Sequence, residues 1–313
     1  MAKENIGREL CMKKRPVIRF GLGDLKRFMM HMLSMPAKNW RARRLVMLWT
    51  TLLFFTGMRP GEAAFSRGYS AEGHYLHVKN LTIRRLEEDL YGSQFSVVFE
   101  VGWLKHHRYR GEVVTRQLVS LTDPKLFYID PTLHCIAHLY WLGCFGSGTL
   151  EEIFGRDVLI FPLSESTKEI PIFTGRNKNK PASASGMNRL FKQFAFEAGF
   201  PSNVTSYSLR RGFVRDLFSR GMPVDAVKKL LHHTPNSTEA VGFFFFWFIS
   251  RESFRILFDK FSFSQRRHYE GDLTNLDIVA IRANVPQRSA ENLDTFDMGH
   301  IFSYVCLYVS VLG

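Results

Sequence analysis

Two arginines far apart in the chain have sequence surroundings suited to holding a phosphate group. Arg59 lies in Thr56-Gly-Met-Arg-Pro-Gly-Glu62, and Arg210 lies in Tyr207-Ser-Leu-Arg-Arg-Gly212. A guanidinium stays charged and offers a planar fork of N–H donors that fits two phosphate oxygens. His233 follows Arg210 by 23 residues and adds a further donor or base. Because metal-free cleavage of a phosphodiester needs such cations, we hypothesise that the three residues share one phosphate site.

Two further groups would complete such a site: an acid that protonates the leaving oxygen and a nucleophile that attacks phosphorus. Lys105 fits the acid, since it lies in the basic run Trp103-Leu-Lys-His-His-Arg-Tyr-Arg110, where neighbouring cations lower the pKa of a lysine. The alternative, that this run is only a solvated charged turn, fits the pattern equally well. A tyrosine is the side chain that would form a covalent phosphotyrosyl link.

The composition favours a folded protein with a polyanionic partner. The chain has 313 residues, of which 45% are hydrophobic, and a net charge of +13 with a pI near 9.7. This length allows one large domain or two ordinary ones. The charge suits nucleic acid or an acidic membrane surface. A basic protein without such a partner is also compatible with the charge alone.

The cysteines and the chain ends bear on the compartment. The four cysteines, at positions 11, 135, 144 and 306, show no metal or disulfide spacing, so we expect a reduced compartment such as the nucleus or the cytosol. Residues 1–7 are charged with no apolar run behind them, which argues against a secretory signal. Residues 301–313 are apolar but shorter than the roughly 20 residues of a membrane span. We expect a docking strand or an adhesive terminus there, and no membrane partner.

The hydrophobic pattern predicts helices around a small antiparallel sheet. Leu45, Leu48, Leu52 and Phe55 recur at helical spacing within a helix predicted over 40–55, so Arg59 falls just beyond a helix end. Further helices are predicted over 23–35, 131–145, 184–196, 207–219, 223–232 and 236–249. Strands are predicted over 74–83, 94–104 and 113–121, with a hairpin over 105–111. Residues 146–185 are expected to be irregular.

Three boxes, in this order and on these elements, resemble the tyrosine recombinases of the phage-integrase type. They are residues 43–62, Tyr207–Gly212 and His233–Ser237. Within that family the chain is similar to the fungal captain-type and crypton-type recombinases of mobile elements. The resemblance covers roughly residues 20–250. It implies a mostly helical α+β catalytic domain, double-stranded DNA as the partner, a homo-oligomer assembled on DNA, a nuclear location, and no metal or other cofactor.

The resemblance also assigns roles to individual residues. Arg59 and Arg210 would hold the scissile phosphate, and Lys105 would be the acid. His233 would be an assisting donor or base; the adjacent His232 fits the pattern almost equally well, and the spacing of the boxes favours His233. Tyr207 stands where the general family has a histidine, a substitution familiar in the fungal branch, and would hydrogen-bond the phosphate. Other basic residues are expected to contact DNA, namely His106, Arg108, Arg110, Lys178, Lys180 and Arg211, the last being alternatively a plain surface charge.

The nucleophile position departs from the family pattern. The family places its tyrosine nine to eleven residues after the histidine of the third box, and here residues 242–244 read Gly-Phe-Phe. Phe244, or alternatively Phe243, occupies the nucleophile position, and a phenyl ring has no oxygen to attack phosphorus. The chain is therefore either a recombinase by descent or a catalytically inactive DNA-binding regulator or domesticated remnant. A basic membrane-associated protein is a weaker alternative that leaves the three boxes unexplained.

The expected organisation is a basic arm or hinge over 1–20, a catalytic domain over 21–250 and a C-terminal segment over 251–313. Family members carry a helical clamp domain before the catalytic domain. Because only about 20 residues precede the first predicted helix, we expect most of that grip to be absent and DNA affinity to be reduced.

Three weaker candidate sites compete with ordinary structural roles. His134, Cys135 and His138 lie on one predicted helix and could hold zinc, but no other ligand is near in sequence, so a core or surface histidine pair is favoured. The run Phe243–Trp247 could stack bases, although the core face of a helix is favoured. Tyr269 has basic neighbours and is a candidate displaced nucleophile, but it lies 36 residues beyond His233.

Overall fold

The structure is a computed structural model that describes residues 18–35, 39–66, 74–86, 94–103, 113–121, 123–155 and 158–231. Eight α-helices and four strands lie in these ranges. The helices are α1 (Leu22–Ser34), α2 (Trp40–Thr56), α3 (Pro60–Ala63), α4 (Pro131–Leu142), α5 (Leu150–Phe154), α6 (Ala184–Glu197), α7 (Ser206–Ser219) and α8 (Val224–Leu230). The strands are β1 (Leu81–Arg85), β2 (Phe95–Val101), β3 (Val114–Val119) and β4 (Ile160–Phe161). No helix in this described part has the length and apolar character needed to cross a membrane.

Helix α2 is the centre of the core. Every residue from Arg43 to Thr56 is buried, which is expected of a helix that is apolar nearly all round. It packs against α1, α4, α6 and α7. With 17 residues it is about 25 Å long, so its two ends are separate regions of the molecule. The prediction of this helix is confirmed, with one residue added at its end.

The four strands form one antiparallel sheet in the order β3-β2-β1-β4. Leu81, Phe99 and Arg116 lie side by side in one row across β1, β2 and β3, because Leu81 pairs with Phe99 and Phe99 pairs with Arg116. All three side chains are buried. The fold-class prediction, mostly helical α+β with a small antiparallel sheet, is confirmed.

Two predictions about this half of the chain are wrong. The first strand was expected over 74–83, but Val78–Asn80 forms a 3-10 helix, with the Asn80 side-chain oxygen accepting from His77 N at 2.9 Å, and the strand begins only at Leu81. Residues 146–185 were expected to be irregular, yet they contain α5, β4 and a 3-10 turn. Strand β4 is only two residues long and is defined by its pairing with β1 rather than by any local pattern.

Helix α7 is held at its start by neighbouring helices. Trp49 Nε1 of α2 donates to Ser206 Oγ at 3.0 Å, and Asn188 Oδ1 of α6 accepts from Ser206 N at 2.8 Å. The segment before α1 crosses the same helix, with Phe20 N donating to Ser208 O at 3.0 Å. A Cβ atom on Gly212 would lie 1.8 Å from Phe20 O, so this crossing requires glycine. These contacts fix the direction in which α7 presents its arginines.

Candidate phosphate-binding site

Arg59 is placed by the way α2 ends. Gly57 caps the helix in the left-handed conformation, with φ 62°, and its N–H donates to Leu53 O at 3.0 Å. A Cβ atom on Gly57 would lie 2.6 Å from the Phe213 ring of α7, so backbone conformation and space both require glycine. The chain then turns sharply, and Arg59 becomes the N-cap residue of α3 with Pro60 at the first helical position. The sequence-based placement of Arg59 just beyond the helix end is confirmed.

Glu62 holds Arg59 at two points. One carboxylate oxygen accepts from Arg59 N at 2.9 Å, and the other accepts from Arg59 Nη1 at 3.0 Å. The Glu62 side chain is 1% exposed, whereas that of Arg59 is 18% exposed. Trp103 Nε1 donates to the Glu62 backbone oxygen at 3.0 Å, which ties the end of β2 to the same turn. A buried carboxylate therefore orients the Arg59 side chain, which remains partly accessible to solvent.

Arg210 approaches the same turn from α7. Its Nη1 donates to Gly57 O, and its Nη2 donates to Leu231 O at 3.1 Å, just beyond α8. One guanidinium thus connects the end of α2 with the end of α8. Burial, and then the positive charge of Arg59, lower the pKa of Arg210 to about 9, while the charge of Glu62 opposes the shift. Arg210 still carries its charge at neutral pH, and it lies within electrostatic reach of Arg59.

A third guanidinium at this site was missed from the sequence. Arg116 of β3 is fully buried and donates from Nη1 to Thr56 O, at the end of α2, at 2.9 Å. Burial lowers its pKa, the charge of Glu62 raises it, and that of Arg59 lowers it again. The sequence did contain a signal for this residue: Arg116 is an arginine at an inward-facing position of a predicted strand, between Val114 and Leu118. Three guanidiniums and one carboxylate give these four side chains a net charge of +2.

Tyr207 and Arg211 flank Arg210 in different ways. Tyr207, in the first turn of α7, is 51% exposed. It precedes Arg210 by three residues, so the two residues lie on the same side of the helix, one turn apart. Arg211 is half-buried and points elsewhere, as adjacent residues on a helix do. The predicted roles, Arg210 as a site residue and Arg211 as a DNA contact or a surface charge, stay predictions.

The loop that carries Lys178 and Lys180 lies at the opposite end of α2 from Arg59. Lys178 Nζ is 4.6 Å from the centre of the Trp141 ring, and Trp141 packs edge-on against Trp40 at 5.0 Å, where α2 begins. Both lysines are exposed. Lys178 lies at the Trp141 end of α2, so its predicted DNA contact would belong to a region separate from the arginine cluster.

Several predicted site residues lie outside the described residues. They are Lys105, His106, Arg108, Arg110, His233, Phe243, Phe244 and Tyr269. The helix predicted over 236–249 and the hairpin over 105–111 fall there as well. Their roles stay predictions from the sequence. The described flanks of the hairpin are Trp103, two residues after β2, and Val113, one residue before β3, and Trp103 donates to the Glu62 backbone oxygen beside Arg59.

His134 and His138 are core residues. Both lie on α4 and are buried; His134 Nε2 contacts Tyr128 O at 2.9 Å, and His138 Nε2 contacts Ile172 O at 2.8 Å. Arg44 Nε donates to His138 Nδ1 at 3.2 Å, so both ring nitrogens of His138 are engaged. Burial lowers the pKa of His134 to about 4 and that of His138 to about 3. Across the described ranges, no group of three or more His, Cys, Asp or Glu side chains is arranged to hold a metal ion.

Comparison with known proteins found a family model that matches part of the chain and two solved structures with a similar fold. The model of the phage integrase family matches residues 150–240, a stretch that includes α6, α7 and α8. The fold is similar to XerH site-specific recombinase bound to difH substrate in a pre-cleavage complex, at 15% identity and a TM-score of 0.44, over 71% of this chain and 48% of that chain. The post-cleavage complex of XerH with palindromic difH substrate gives 15% identity and a TM-score of 0.43, over 74% of this chain and 50% of the other.

The chain thus spans about half the length of the recombinase chains that it matches. No curated protein sequence matches it. The family match contains both the second arginine and the histidine of the phosphate hypothesis. Residues 150–240, which carry Arg210 and His233, are thus similar to the phage integrase family.

Proposed function

We propose that the chain binds double-stranded DNA and that Arg59 and Arg210 hold one backbone phosphate of the duplex. The observation that carries this proposal is the meeting of two guanidiniums at one turn although 151 residues separate them in sequence. Paired guanidiniums suit the non-bridging oxygens of a phosphodiester. The net charge of +13 favours a polyanion as the partner.

The burial of Arg210 is compatible with this role. Its two Nη atoms donate to the backbone oxygens of Gly57 and Leu231. Each Nη atom of a guanidinium carries two hydrogens, so a carbonyl contact and a phosphate contact can share one nitrogen. Arg59 then supplies the exposed part of the pair, and Tyr207 adds a hydroxyl donor one helical turn from Arg210.

By descent the activity is site-specific DNA recombination or integration, and we place the chain with recombinases of mobile elements, in the fungal captain-type or crypton-type branch. In that reaction Lys105 would protonate the leaving oxygen and His233 would assist at the phosphate. Recombination requires several subunits on one DNA, so a homo-oligomer assembled on DNA, in the nucleus, belongs to the same proposal.

The proposal separates DNA binding from strand cleavage. Phe243 and Phe244 occupy the window of the nucleophile, and neither side chain has an oxygen that could attack phosphorus. We therefore expect the chain to bind DNA without forming a covalent protein–DNA link. This observation favours the second candidate function, a catalytically inactive DNA-binding regulator or domesticated remnant, over an active recombinase.

The test of cleavage compares four proteins on a nicked duplex library of random sequence. The chain is compared with Phe243→Tyr, Phe244→Tyr and, as a matched control one residue beyond the window, Phe245→Tyr. A covalent adduct on a denaturing gel with Phe243→Tyr or Phe244→Tyr alone indicates a recombinase site that lacks one oxygen. An adduct with the unchanged chain refutes the assignment of the nucleophile position and directs attention to Tyr269.

The test of binding uses single alanine variants of the two arginines. Arg59→Ala and Arg210→Ala should each weaken binding to a 30-base-pair duplex by about tenfold or more, the loss expected for one charge-assisted hydrogen bond. Arg215→Ala is the matched control, because Arg215 lies on the same helix but pairs with Asp216. Equal affinities for all three variants and the unchanged chain would refute the phosphate role of the arginine pair.

A further inference from the structure

Arg116 has no role in the sequence hypothesis, yet it is built into the phosphate site. Its side chain extends from β3 into the core, in the row that also contains Phe99, and its Nη1 reaches Thr56 O at 2.9 Å. A charged side chain is rarely buried this completely unless specific partners hold it. The position is therefore better explained by what Arg116 contacts than by packing of the sheet.

The end of α2 is held by two guanidiniums from different elements. Arg116 of β3 donates to Thr56 O, and Arg210 of α7 donates to Gly57 O, the next carbonyl along the chain. The C-terminal end of a helix carries partial negative charge and favours cations. Because Arg59 follows Gly57 by two residues, both contacts set the position of the backbone from which the Arg59 side chain starts.

The same three arginines share one carboxylate. Glu62 forms an ion pair with Arg59 at 3.0 Å, and its charge acts on Arg116 and on Arg210. Without Arg116, the Glu62 carboxylate would be balanced by two guanidiniums instead of three. Arg59 would then be more fully neutralised by Glu62 and would offer less positive charge to an incoming phosphate.

We infer that Arg116 is a positioning residue of the phosphate site, which holds the end of α2 and balances Glu62 so that Arg59 remains available to bind DNA. The inference rests on the proposed function, because it assigns Arg116 to the same site. It predicts that Arg116 acts on DNA through Arg59 and does not contact the phosphate itself.

A double-mutant cycle tests this inference. The affinity for a 30-base-pair duplex is measured for Arg116→Met, Arg59→Ala and the combined variant. Arg116→Met alone should weaken binding about tenfold, whereas in the Arg59→Ala background it should weaken binding less than about twofold, since residues that act through one another are not additive. Equal losses in both backgrounds would mean a role independent of Arg59 and would overturn the inference.

The matched control is Arg85→Met. Arg85 is an arginine of the same sheet that also donates to a carbonyl at a helix end, that of Phe154 in α5, but it lies away from the phosphate site. Its loss should leave DNA affinity within about twofold. A tenfold loss with Arg85→Met would show that general damage to the sheet explains the result for Arg116.

Two further measurements keep the outcomes distinct. The Nε–H resonance of Arg59 in the free protein should shift in Arg116→Met and stay in place in Arg85→Met. Should Arg116→Met fail to fold, Arg116→Lys replaces it in the cycle. Lysine retains the charge without the planar guanidinium, and the same non-additivity is expected.

Unchanged DNA affinity of Arg59→Ala would refute the proposed function itself. A normal affinity of Arg116→Met beside a weakened Arg59→Ala would refute only the role of Arg116.

Discussion

The two ends of α2 both collect arginines but use them differently. At the start of the helix, Arg44 stacks on Trp141 at 3.5 Å and on Trp40 at 4.7 Å and donates to His138. At the other end, Arg116 and Arg210 donate to the terminal carbonyls of the helix. Cations are disfavoured at a helix start and favoured at a helix end. Those at the start therefore depend on aromatic rings, whereas those at the end interact favourably with the helix itself.

This difference separates a structural cluster from a candidate binding site. Around Trp141 the cationic side chains are covered by aromatic faces, which stabilise the fold. Around Glu62, by contrast, three guanidiniums meet a single carboxylate, and Arg59 is accessible to solvent. Local excess of positive charge at an accessible turn is the property that a phosphate ligand requires, and the comparison predicts that the main phosphate contact belongs to the second cluster.

Arg210→Leu should have the largest effect, because it removes a charge from the phosphate site and leaves two backbone carbonyls without this donor. We expect DNA affinity to fall by about tenfold to a hundredfold and the free energy of unfolding to fall by about 2 kcal/mol. Titration of a fluorescent duplex and urea denaturation measure the two effects. A loss of stability with normal DNA affinity would make the two ends of α2 equivalent and would contradict the comparison.

Arg44→Leu should damage stability alone. The side chain loses its stacking on two tryptophans and its hydrogen bond to His138, so we expect the free energy of unfolding to fall by about 1–3 kcal/mol. DNA affinity of the folded protein should change by less than about twofold, because the site lies at the other end of a helix about 25 Å long. A tenfold loss of affinity at full folding would assign DNA contacts to the tryptophan end.

The pH dependence of stability reports on the histidines of α4. The pKa values of buried His134 and His138 lie below the ordinary 6.5, so between about pH 6.5 and 4 the unfolded chain binds protons that the folded chain does not. Stability should therefore fall as the pH falls through this window, by about 1.4 kcal/mol per pH unit for each histidine. Buried Asp130 opposes this trend. Burial raises its pKa to about 7, so the folded state keeps this carboxyl protonated at pH values at which the unfolded chain has lost the proton.

His138→Gln isolates one of these contributions at the tryptophan end. The slope of stability against pH between 6 and 5 should decrease by about 1.4 kcal/mol per pH unit relative to the unchanged chain. Urea denaturation at three pH values measures the slope, with His31→Gln, a half-buried histidine of α1, as the control. An unchanged slope in His138→Gln would show that His138 takes up its proton as readily in the folded chain as in the unfolded one.

Lys178→Ala should have the smallest effect. Its ammonium group lies over Trp141, outside the arginine cluster, so it can contribute to DNA binding only as a separate backbone contact. We expect a loss of affinity of at most about threefold. The negative slope of log affinity against log salt should become less steep by about one. Lys180→Ala, which removes the neighbouring lysine of the same loop, is measured for comparison. An effect as large as that of Arg210→Leu would move the main phosphate contact to this loop.

The sequence predicted the local elements of the site because their signals are local. Helical spacing of apolar residues, followed by Thr56-Gly57, defined α2 and its end, and so placed Arg59 beyond a helix terminus. The pattern around Tyr207-Ser-Leu-Arg-Arg placed Arg210 on a helix, with Arg211 on another side of it. The predicted cores of β2 and β3 also agree with the structure, since β-branched and aromatic residues dominate both.

Tertiary structure alone decided which distant groups meet. Strand register placed Arg116 opposite Phe99, and β4 exists only through its pairing with β1. The packing of α7 across α2 brought Arg210 to the carbonyl of Gly57, a contact that spans 153 residues. Periodicity along the chain determines helices and strands and the faces they bury, whereas the placement of charges around Glu62 depends on long-range packing that no local pattern records.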